Sequence, residues 1–585
     1  MSRESPWHEG VQQAQARTPA ARSEGQWALG YFEPLNPAEV AKRENDGLEV
    51  RTRIENVYSK KGWASIWPSD LRNRFRWHGL YTQRPEVDGY FMLRIRIPGG
   101  LLTSRQTDVI GTISHDFGRD VADVTDRQNI QLHWIRIEDM PEIWSRLEEV
   151  GLSTTEACGD TPRNVLGCPL AGIDAAEIVD ASEPLLAVNE RLVGDLAFSN
   201  LPRKYKISVS GCAHQCAQHE VNDIGLAGVH GPNGEVGFDL WVGGGLSTNP
   251  MFGQRLSAFV PPKDVVDVVV GITEVFRDWG YRRARNRARL KFLMRDWGPE
   301  KFREMLEKQI GFALADLEEP TASKEAGSEH LGVWPQKDGN NYIGFAPKAG
   351  RISGHQLRRL AALAAERGGG RLRTTTQQKM AILDVPEGNV ESLVEELDQL
   401  DLPARPGKWR AGTMACTGIE FCKLAIVETK GRAVELYRYL EKRLPGYEDD
   451  IRINVNGCPN SCARYQTADI GLMGCQIHER VWVTDHDGEQ IEERRKVEAF
   501  LVHLGGHLGE DRAFGRKVRG VKVPASEIGP YVETLVLRFR SQRQEGENFA
   551  AFIARLSNDE LKAFGAKPNF PVAPPAPTVI AEARI

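Results

Sequence analysis

Two stretches of this 585-residue chain are copies of one another, and this internal duplication constrains the fold more than any other feature. Residues 211–228 (GCAHQCAQHEVNDIGLAG) and 457–474 (GCPNSCARYQTADIGLMG) align without a gap, and nine of the eighteen positions are identical. Further pairs of similar segments occur in the same order in both halves, about 250 positions apart. Because this period is too long for a solenoid repeat, the chain is predicted to be a duplicated pair of domains.

Each half is predicted to contain a small unit of strands and helices. In residues 90–98 apolar and basic residues alternate, which predicts a strand with one apolar and one basic face. An amphipathic helix ending near 117, a strand at 128–137 and a helix at 140–150 follow. The same order recurs at 341–402. We therefore predict an internally duplicated α+β fold.

The composition narrows the classes of protein to consider. The apolar fraction of 41% and the charged fraction of 26% are those of an ordinary soluble protein, long enough for three or four domain-sized units. A net charge of −5 argues against a general affinity for nucleic acid, and no apolar run reaches the roughly 18 residues of a membrane span. The N-terminus lacks the apolar region of a secretion signal, so we expect a cytoplasmic protein. Nine cysteines, an odd number, favour metal or redox chemistry over a disulfide framework.

Four cysteines of the second half form a candidate metal site. They are arranged as Cys416-x5-Cys422 and Cys458-x3-Cys462. Thiolates are the soft ligands that suit zinc and iron–sulfur clusters, and the five-residue gap is wide for zinc. Between the two pairs we predict a helix at 420–443 and a strand at 450–456. The alternative, buried cysteines that pack as small apolar residues, is disfavoured because all four lie in turn-like segments rich in Gly, Pro and Asn.

The first copy of the repeat has kept three of these four cysteines. Cys168, Cys212 and Cys216 correspond to Cys416, Cys458 and Cys462, and Asp174 stands where the second copy has Cys422. Two interpretations stay open: a second cluster held by three thiolates and one carboxylate, and an inert remnant of the duplication, which we favour. The sequence assigns no role to Cys158 or Cys475.

The first half carries basic residues that the second half lacks. Lys204 and Lys206 alternate with apolar residues in a predicted strand, so both ammonium groups project from one face. Arg94 lies on an earlier strand, and Arg163 lies in a turn before the first cysteine of the repeat. The second half has Gly344 for Arg94, Ala411 for Arg163 and Asp450 for Lys204. A solvated strand face is the alternative, but convergent cations at equivalent positions of a repeat predict a pocket for a small anion.

Taken together, these motifs resemble those of the sirohaem-containing sulfite and nitrite reductases. The resemblance rests on the cysteine pattern, NGCPNSC, LPRKYK (201–206), RNVLGC (163–168) and TDRQNIQLH (125–133), and it extends over roughly 79–540. It implies two ferredoxin-like half-domains and two larger α+β sirohaem domains related by a pseudo-twofold axis. The implied divisions are an extension that wraps the core (1–85), half-domain 1 (86–152), sirohaem domain 1 (153–318), a linker (319–330), half-domain 2 (331–402), sirohaem domain 2 (403–565) and a flexible tail (566–585).

The resemblance also implies the cofactors and the residues that bind them. By analogy, the four second-half cysteines bind a [4Fe–4S] cluster, and Cys462 also ligates the iron of sirohaem. The anion pocket is implied to consist of Arg94, Arg163, Lys204 and Lys206. The residues implied to bind the sirohaem carboxylates are Arg127, Gln128, Gln131, His133, Arg289 and Lys291, of which the last two belong to a segment at 281–295 with seven basic residues and no acidic one. The other arginines of that segment could equally lie on a solvated helix face.

The function implied is the six-electron reduction of sulfite to sulfide. Lys206 favours sulfite, because plant-type nitrite reductases tend to have Asn there and because sulfite, largely a dianion, gains more from a fourth cation. Nitrite reduction to ammonia, or activity on both anions, is the alternative. No flavin or nicotinamide motif is evident, so a ferredoxin is the expected electron donor. We expect a monomer. A non-catalytic iron–sulfur protein and a structural zinc protein are more distant alternatives.

Overall fold

The computed structural model describes residues 36–85, 89–212, 214, 216–318, 329–484, 488 and 490–568. The predicted flexible N-terminus (1–30), nearly all of the predicted tail and most of the predicted linker lie outside these residues. The described chain begins with short helices: α1 (Pro37–Glu44), α2 (Val50–Arg53), α3 (Ser59–Lys61) and α4 (Pro68–Arg72), with one π-helical turn (Ile54–Tyr58). Val50, Ile54 and Phe75 of this segment pack into the apolar core of the unit that follows.

That unit has the order of strands and helices that the sequence predicts. Its elements are β1 (Leu80–Thr82), β2 (Tyr90–Ile95), β3 (Leu101–Thr103), α5 (Ser104–Phe117), β4 (Ala122–Val124), β5 (Ile130–Arg136) and α6 (Met140–Glu148). Along β2 the side chains alternate between half-buried and buried, so Leu93 and Ile95 face the core and Arg94 faces away from it. The predicted two-faced strand is therefore confirmed.

A larger α+β unit follows and supplies the first-half cysteines. Its elements are β6 (Leu166–Gly167), α7 (Ser182–Leu192), β7 (Ile207–Ser210), β8 (Ile224–His230), β9 (Val236–Val242), β10 (Gln254–Val260), α8 (Val265–Trp279), α9 (Leu290–Ile310) and β11 (Ala315–Asp316). Strands β6, β7 and β8 run parallel, and β8 to β11 are antiparallel. Helices α8 and α9 pack together beside this sheet in one apolar core.

The second half repeats both units. Its small unit consists of β12 (Gly332–Pro335), β13 (Asn341–Phe345), β14 (Arg351–Ile352), α10 (Gly354–Arg367), β15 (Arg371–Thr374), β16 (Met380–Val385) and α11 (Val390–Gln399). Its large unit consists of α12 (Lys408–Gly412), β17 (Thr413–Ala415), α13 (Lys430–Arg443), β18 (Ile453–Asn456), β19 (Ile470–Thr484), β20 (Gln490–Leu504), β21 (Arg516–Pro524), α14 (Ile528–Gln542), α15 (Phe549–Arg555) and α16 (Asn558–Phe564). Strands β17, β18 and β19 run parallel, as do their counterparts β6, β7 and β8.

The two halves exchange one strand each. Strand β3 of the first half pairs with β15 of the second, and β14 of the second half pairs with β4 of the first. A glycine with positive φ precedes each exchanged strand, Gly100 at 74° and Gly350 at 79°. A Cβ atom would lie 2.2 Å from the Thr374 oxygen at the first glycine and 2.6 Å from the Val124 oxygen at the second. The close approach of the backbones therefore requires glycine at both positions.

Helices α5 and α10 continue from the exchanged strands and cross one another. Each begins with a reciprocal capping box, Thr103 with Gln106 and Ser353 with Gln356. At the crossing a Cβ atom on Gly111 would lie 2.7 Å from the Gly354 oxygen, and one on Gly354 would lie 2.4 Å from the Gly111 oxygen. The two helices thus touch backbone to backbone.

Two local predictions were wrong. Helix α13 begins at Lys430 and not at 420, because Gly418 has a φ of 75° and the following residues form a loop tied by Ile426 N to Gly457 O at 2.8 Å. Lys204 and Lys206 precede β7, although Tyr205 between them forms an isolated bridge with Pro162. The basic segment at 281–295, for which a helix face was an alternative, is helical only in a short 3₁₀ turn and from the start of α9 onward. Among the described residues, no helix combines the length and the apolar character that a bilayer span requires.

The helix crossing yields a prediction. Gly111→Ala places a methyl group against the Gly354 backbone, which cannot move as a flexible side chain could. We expect this overpacking to lower the free energy of unfolding by about 1–3 kcal/mol, seen as a lower midpoint in denaturant. The matched control is Gly388→Ala, because Gly388 is exposed and its Cβ would meet nothing within 4 Å. Equal midpoints for the two variants would contradict the close crossing.

Candidate active site

Two of the predicted cluster cysteines lie side by side at one edge of a sheet. Cys416 directly follows β17. Cys458 follows β18 with one residue, Gly457, between them. The strands are parallel neighbours, so their carboxyl ends meet at the same edge. The Cys416 nitrogen donates to the Val455 oxygen at 3.1 Å, and the Gly457 nitrogen donates to the Cys416 sulfur at 3.2 Å. These bonds fix the first cysteine against the loop that carries the third.

The other two predicted ligands come from tight loops at the same edge. The Cys422 nitrogen donates to the Gly418 oxygen at 2.9 Å, within the loop that delays the start of α13. Cys462 is exposed, and its loop is held by a bond from the Ala463 nitrogen to the Asn456 side-chain oxygen at 2.8 Å. The charges of all four thiols interact with one another. The structure thus brings together the four cysteines that the sequence singles out.

The spacing of these sulfur atoms suits a multinuclear centre. Among the described residues, no three of the four thiols lie within 4.8 Å of one another, as the ligands of a single ion would. A cluster with several metal ions holds its ligands farther apart. Burial raises the pKa of Cys416 to about 11, and Cys422 adds to the shift, so thiolates in this setting require bound cations. The donor set fits a [4Fe–4S] cluster.

Two of the predicted anion-binding residues converge on a cysteine. An Arg94 Nη1 atom lies 2.6 Å from the Cys158 sulfur, and an Arg163 Nη1 atom lies 2.9 Å from it. The Tyr81 hydroxyl donates to the same sulfur. Burial alone would raise the pKa of Cys158, but the Arg163 and Arg94 guanidinium groups outweigh it and lower the pKa. The sequence did not single out Tyr81 or Cys158, because neither belongs to the repeated motifs.

The two lysines lie close to other cations. Burial, together with the Arg203 and Arg289 charges, lowers the pKa of Lys204 to about 7. The pKa of Lys206 is lowered well below its usual value by burial, by Arg127 and by Lys204. Half-buried cations that repel one another in this way are stabilised by an anion. These contacts support an anion pocket over a solvated strand face.

The pocket of the first half faces the cysteines of the second. The Lys204 charge interacts with Cys462, and Arg94 also interacts with Cys462. Lys204 precedes β7 in the first half and Cys462 lies in the loop after β18 in the second, so the facing groups come from non-equivalent ends of the two sheets. A substrate anion bound by the cations would therefore lie next to the cysteine predicted to ligate the sirohaem iron.

The residues predicted to bind sirohaem differ in how their polar atoms are used. Gln128 bonds Gly99, Gly167 and Thr374 backbone atoms at 2.9–3.0 Å. Lys291 donates to the carbonyl oxygens of Gly245, Leu246 and Asn249. Arg289 forms an ion pair with Asp223 at 2.7 Å, and His133 bonds Asp123 at 2.9 Å. In this structure all four side chains bond to other groups of the protein, so their contact with sirohaem stays a prediction.

Other buried donors remain open to an acidic group. Arg127 bonds Asn222 and the Asn164 oxygen, but its Nε atom has no hydrogen-bond partner. Arg464, which the sequence did not single out, is buried and has two nitrogen atoms without such a partner. Gln131, also buried, accepts a bond from the Thr417 hydroxyl at 3.3 Å, beside the first cluster cysteine. Unsatisfied guanidinium N–H groups fit a macrocycle rich in carboxylates such as sirohaem.

Two family models match most of the chain. The nitrite and sulphite reductase 4Fe-4S domain matches residues 158–314 and 408–564. The nitrite/sulfite reductase ferredoxin-like half domain matches residues 83–150 and 334–400. Both models thus match twice, once in each half of the duplicated chain.

Individual proteins give the same result. The chain is 48% identical over 567 residues to "Sulfite reductase [ferredoxin]" of Mycobacterium tuberculosis, covering 94% of this chain and all of the relative. It is 36% identical over 550 residues to "Assimilatory ferredoxin-dependent nitrite reductase" of Haloferax mediterranei, covering 88% of this chain and 91% of the relative. The solved structure of the Mycobacterium tuberculosis NirA protein superposes with a TM-score of 0.85 at 48% identity, covering 92% of this chain and all of that one.

These matches confirm the predicted family and the predicted duplicated α+β fold. Sirohaem and a [4Fe–4S] cluster are the cofactors that such membership implies. The doubled family models, the extent of the identity and the shared fold lead to one conclusion: the chain belongs to the family of nitrite and sulphite reductases.

Proposed function

We propose that this protein reduces sulfite to sulfide with electrons from a ferredoxin. The observation that carries the proposal is the position of the first-half cations beside Cys462 of the second half. The relative from Mycobacterium tuberculosis, named for ferredoxin and sulfite, supports it over nearly the full length of the chain. A non-catalytic iron–sulfur protein would need the cysteines but not the facing pocket.

In this proposal the two halves divide the work. Cys416, Cys422, Cys458 and Cys462 would hold the [4Fe–4S] cluster, and Cys462 would also serve the sirohaem. When bound, the two cofactors would supply the electrons for the reduction one at a time. Arg127 and Gln131 of the first half, with Arg464 of the second, present side-chain N–H groups to the sirohaem carboxylates. Four other predicted residues would bind these carboxylates only if each gave up a bond that it now makes to another protein group: Gln128, His133, Arg289 and Lys291.

The cations have two tasks. Arg94 and Arg163 carry fixed charges that attract the anion and stabilise charge as its bonds to oxygen break. Lys204, with a pKa near 7, can hold a proton at Nζ and release it near neutral pH, which suits a proton donor. Lys206 is the fourth cation. Burial and neighbouring cations lower its pKa, and a bound anion opposes this effect by favouring the charged ammonium form.

The fourth cation favours sulfite over nitrite. Sulfite is largely a dianion near neutral pH and nitrite is a monoanion, so the dianion gains more from each positive charge. Relatives named nitrite reductase share only 35–36% identity, against 48–49% for those named sulfite reductase. Nitrite reduction, or activity on both anions, remains the second candidate function because these relatives also match nearly the whole chain.

We further propose a cytoplasmic monomer. The nine cysteines form no disulfide in the structure, which suits a reducing compartment. Within one chain the exchanged strands already pair the edges that a dimer partner would otherwise occupy. Gel filtration of the holoenzyme checks the oligomeric state.

The function is tested first by comparing the wild-type protein with Cys462→Ser. The wild type is expected to contain about five iron atoms per chain, four in the cluster and one in the sirohaem, and to show visible sirohaem absorption bands. A serine hydroxyl is a poor substitute for a thiolate, so Cys462→Ser should lose cluster iron, sirohaem bands and sulfite turnover together. Cys475→Ser is the control, because Cys475 lies on β19, where it pairs with Ala499 of β20, and is not one of the predicted ligands. Wild-type protein that binds no sirohaem would refute the proposed reaction.

Lys206→Asn tests the choice of substrate. A charge-assisted contact to an anion is typically worth about 1.5–3 kcal/mol, so kcat/KM for sulfite should fall roughly ten- to hundredfold. The value for nitrite should fall less. Reduced viologen replaces ferredoxin as donor, so that partner binding plays no part, and Lys206→Arg is the charge-conserving control. Equal losses for both anions would assign Lys206 to proton donation, and a shift toward sulfite would make nitrite the leading substrate.

Lys204 yields a prediction for the pH dependence. Because burial lowers its pKa to about 7, the ammonium is charged below pH 7 and loses its proton as the pH rises. With nitrite, which does not titrate near neutral pH as sulfite does, kcat/KM should decline above pH 7, approaching tenfold per unit. Lys204→Arg keeps its charge and should abolish this decline. A wild-type profile that stays flat from pH 6 to 9 would contradict the assignment.

A further inference from the structure

The three first-half cysteines occupy the same sheet edge as the cluster cysteines of the second half. Cys168 directly follows β6 and Cys212 closely follows β7, as Cys416 and Cys458 follow β17 and β18. Asp174, the sequence counterpart of the fourth ligand, is not among the donor atoms that lie within 4.8 Å of one another, and it accepts a bond from the Ala176 nitrogen at 2.9 Å. The close group of donors therefore does not include this carboxylate.

A histidine from the other half takes the place of that carboxylate. The His330 Nε2 atom lies 3.0 Å from the Cys216 sulfur, although the two residues are 114 positions apart in the chain. The donor atoms of Cys168, Cys216 and His330 all lie within 4.8 Å of one another. The Cys212 thiol lies beside this group, within hydrogen-bonding range of Cys168 and Cys216. Two thiols and one imidazole thus converge on one point, and a third thiol lies next to them.

The four side chains are buried in a mainly apolar environment. All four are buried, with relative exposures of 2% for Cys168, 1% for Cys212, 1% for Cys216 and 6% for His330. An apolar shell from both halves encloses the cysteines and includes Leu170, Ile173, Tyr342 and Leu383. The Thr376 hydroxyl fixes the loop by donating to the Cys216 oxygen at 2.9 Å. These four side chains offer four donor atoms, so a metal ion bound here would not need water as a ligand.

We propose that Cys168, Cys212, Cys216 and His330 bind one zinc ion. Three thiolates and one imidazole are an established ligand set of structural zinc, and four ligands complete its tetrahedron. The convergence of donors suits one ion, whereas the cluster cysteines of the second half show no such convergence.

The charge balance supports the same ion. Three thiolates and Zn²⁺ leave one negative charge, which the buried Arg373 guanidinium within electrostatic range of Cys168 offsets. Since zinc is not redox active, this site transfers no electrons. It ties the first-half cysteine loops to the start of the second half, where His330 precedes β12.

The test uses holoenzyme from cells grown with both zinc and iron. Elemental analysis should give about one zinc per chain after dialysis against a mild chelator. Zinc X-ray absorption should show three sulfur ligands at about 2.3 Å and one nitrogen at about 2.0–2.1 Å. Sirohaem and the iron cluster do not contribute to this spectrum, so the result is independent of activity.

Variants separate this site from the iron cluster. Cys216→Ser and His330→Gln should each lower zinc by at least fivefold while iron and the sirohaem bands stay at wild-type levels. Cys475→Ser, the control, should keep both metals. Iron lost in step with zinc would instead indicate a second iron–sulfur centre and overturn the proposal. If a variant proves insoluble, the wild-type spectrum decides: fewer than about 0.1 zinc per chain, or zinc without sulfur ligands, refutes the site.

Discussion

The contact between the two halves determines where every functional group lies. Helices α5 and α10 meet backbone to backbone at Gly111 and Gly354, and each half completes the small sheet of the other with one exchanged strand. This contact sets the relative position of the two large sheets. Lys204 and Lys206 precede β7, and the cluster cysteines follow β17 and β18, so the small units position residues that they do not themselves contain. The chemistry of the site therefore depends on packing far from it.

The same edge of the fold supports different chemistry in the two halves. In the second half the loop between Cys416 and Thr429 delays the start of α13, and it carries Cys422, the remaining predicted cluster ligand. In the first half the corresponding position is Asp174, and the His330 imidazole lies beside the cysteines instead. The cations Lys204 and Lys206 then lie opposite Cys462 rather than beside their own cysteines. Substitutions at a few positions of one scaffold have thus produced an anion pocket on one side and a metal cluster on the other.

The sequence predicted the duplication, the strand faces and the four cluster cysteines because each depends on local spacing. Alternation along β2 or a repeated Gly-Cys motif can be recognised without knowing the fold. The exchanged strand β14 is only two residues long, too short to show a periodicity. The helix predicted from 420 was wrong because the loop is held by bonds to Gly457, distant in sequence. His330 and Tyr81 lie outside the repeated motifs, and their positions follow from tertiary packing alone. Arg464 lies within the repeated segment, opposite Gln218 of the first copy, but its spacing alone does not show that it is buried.

The covalent joining of the two halves has a consequence for symmetry. In a homodimer of identical halves, every residue appears twice in the same surroundings, so a cluster site on one subunit must also exist on the other. A cation pocket could then face a cluster only if each half carried both sets of residues. Fusion removes this constraint, because Cys422 and Asp174 can differ once they belong to one chain. The asymmetric centre of this protein is thus a property that a symmetric assembly of the same fold could not acquire.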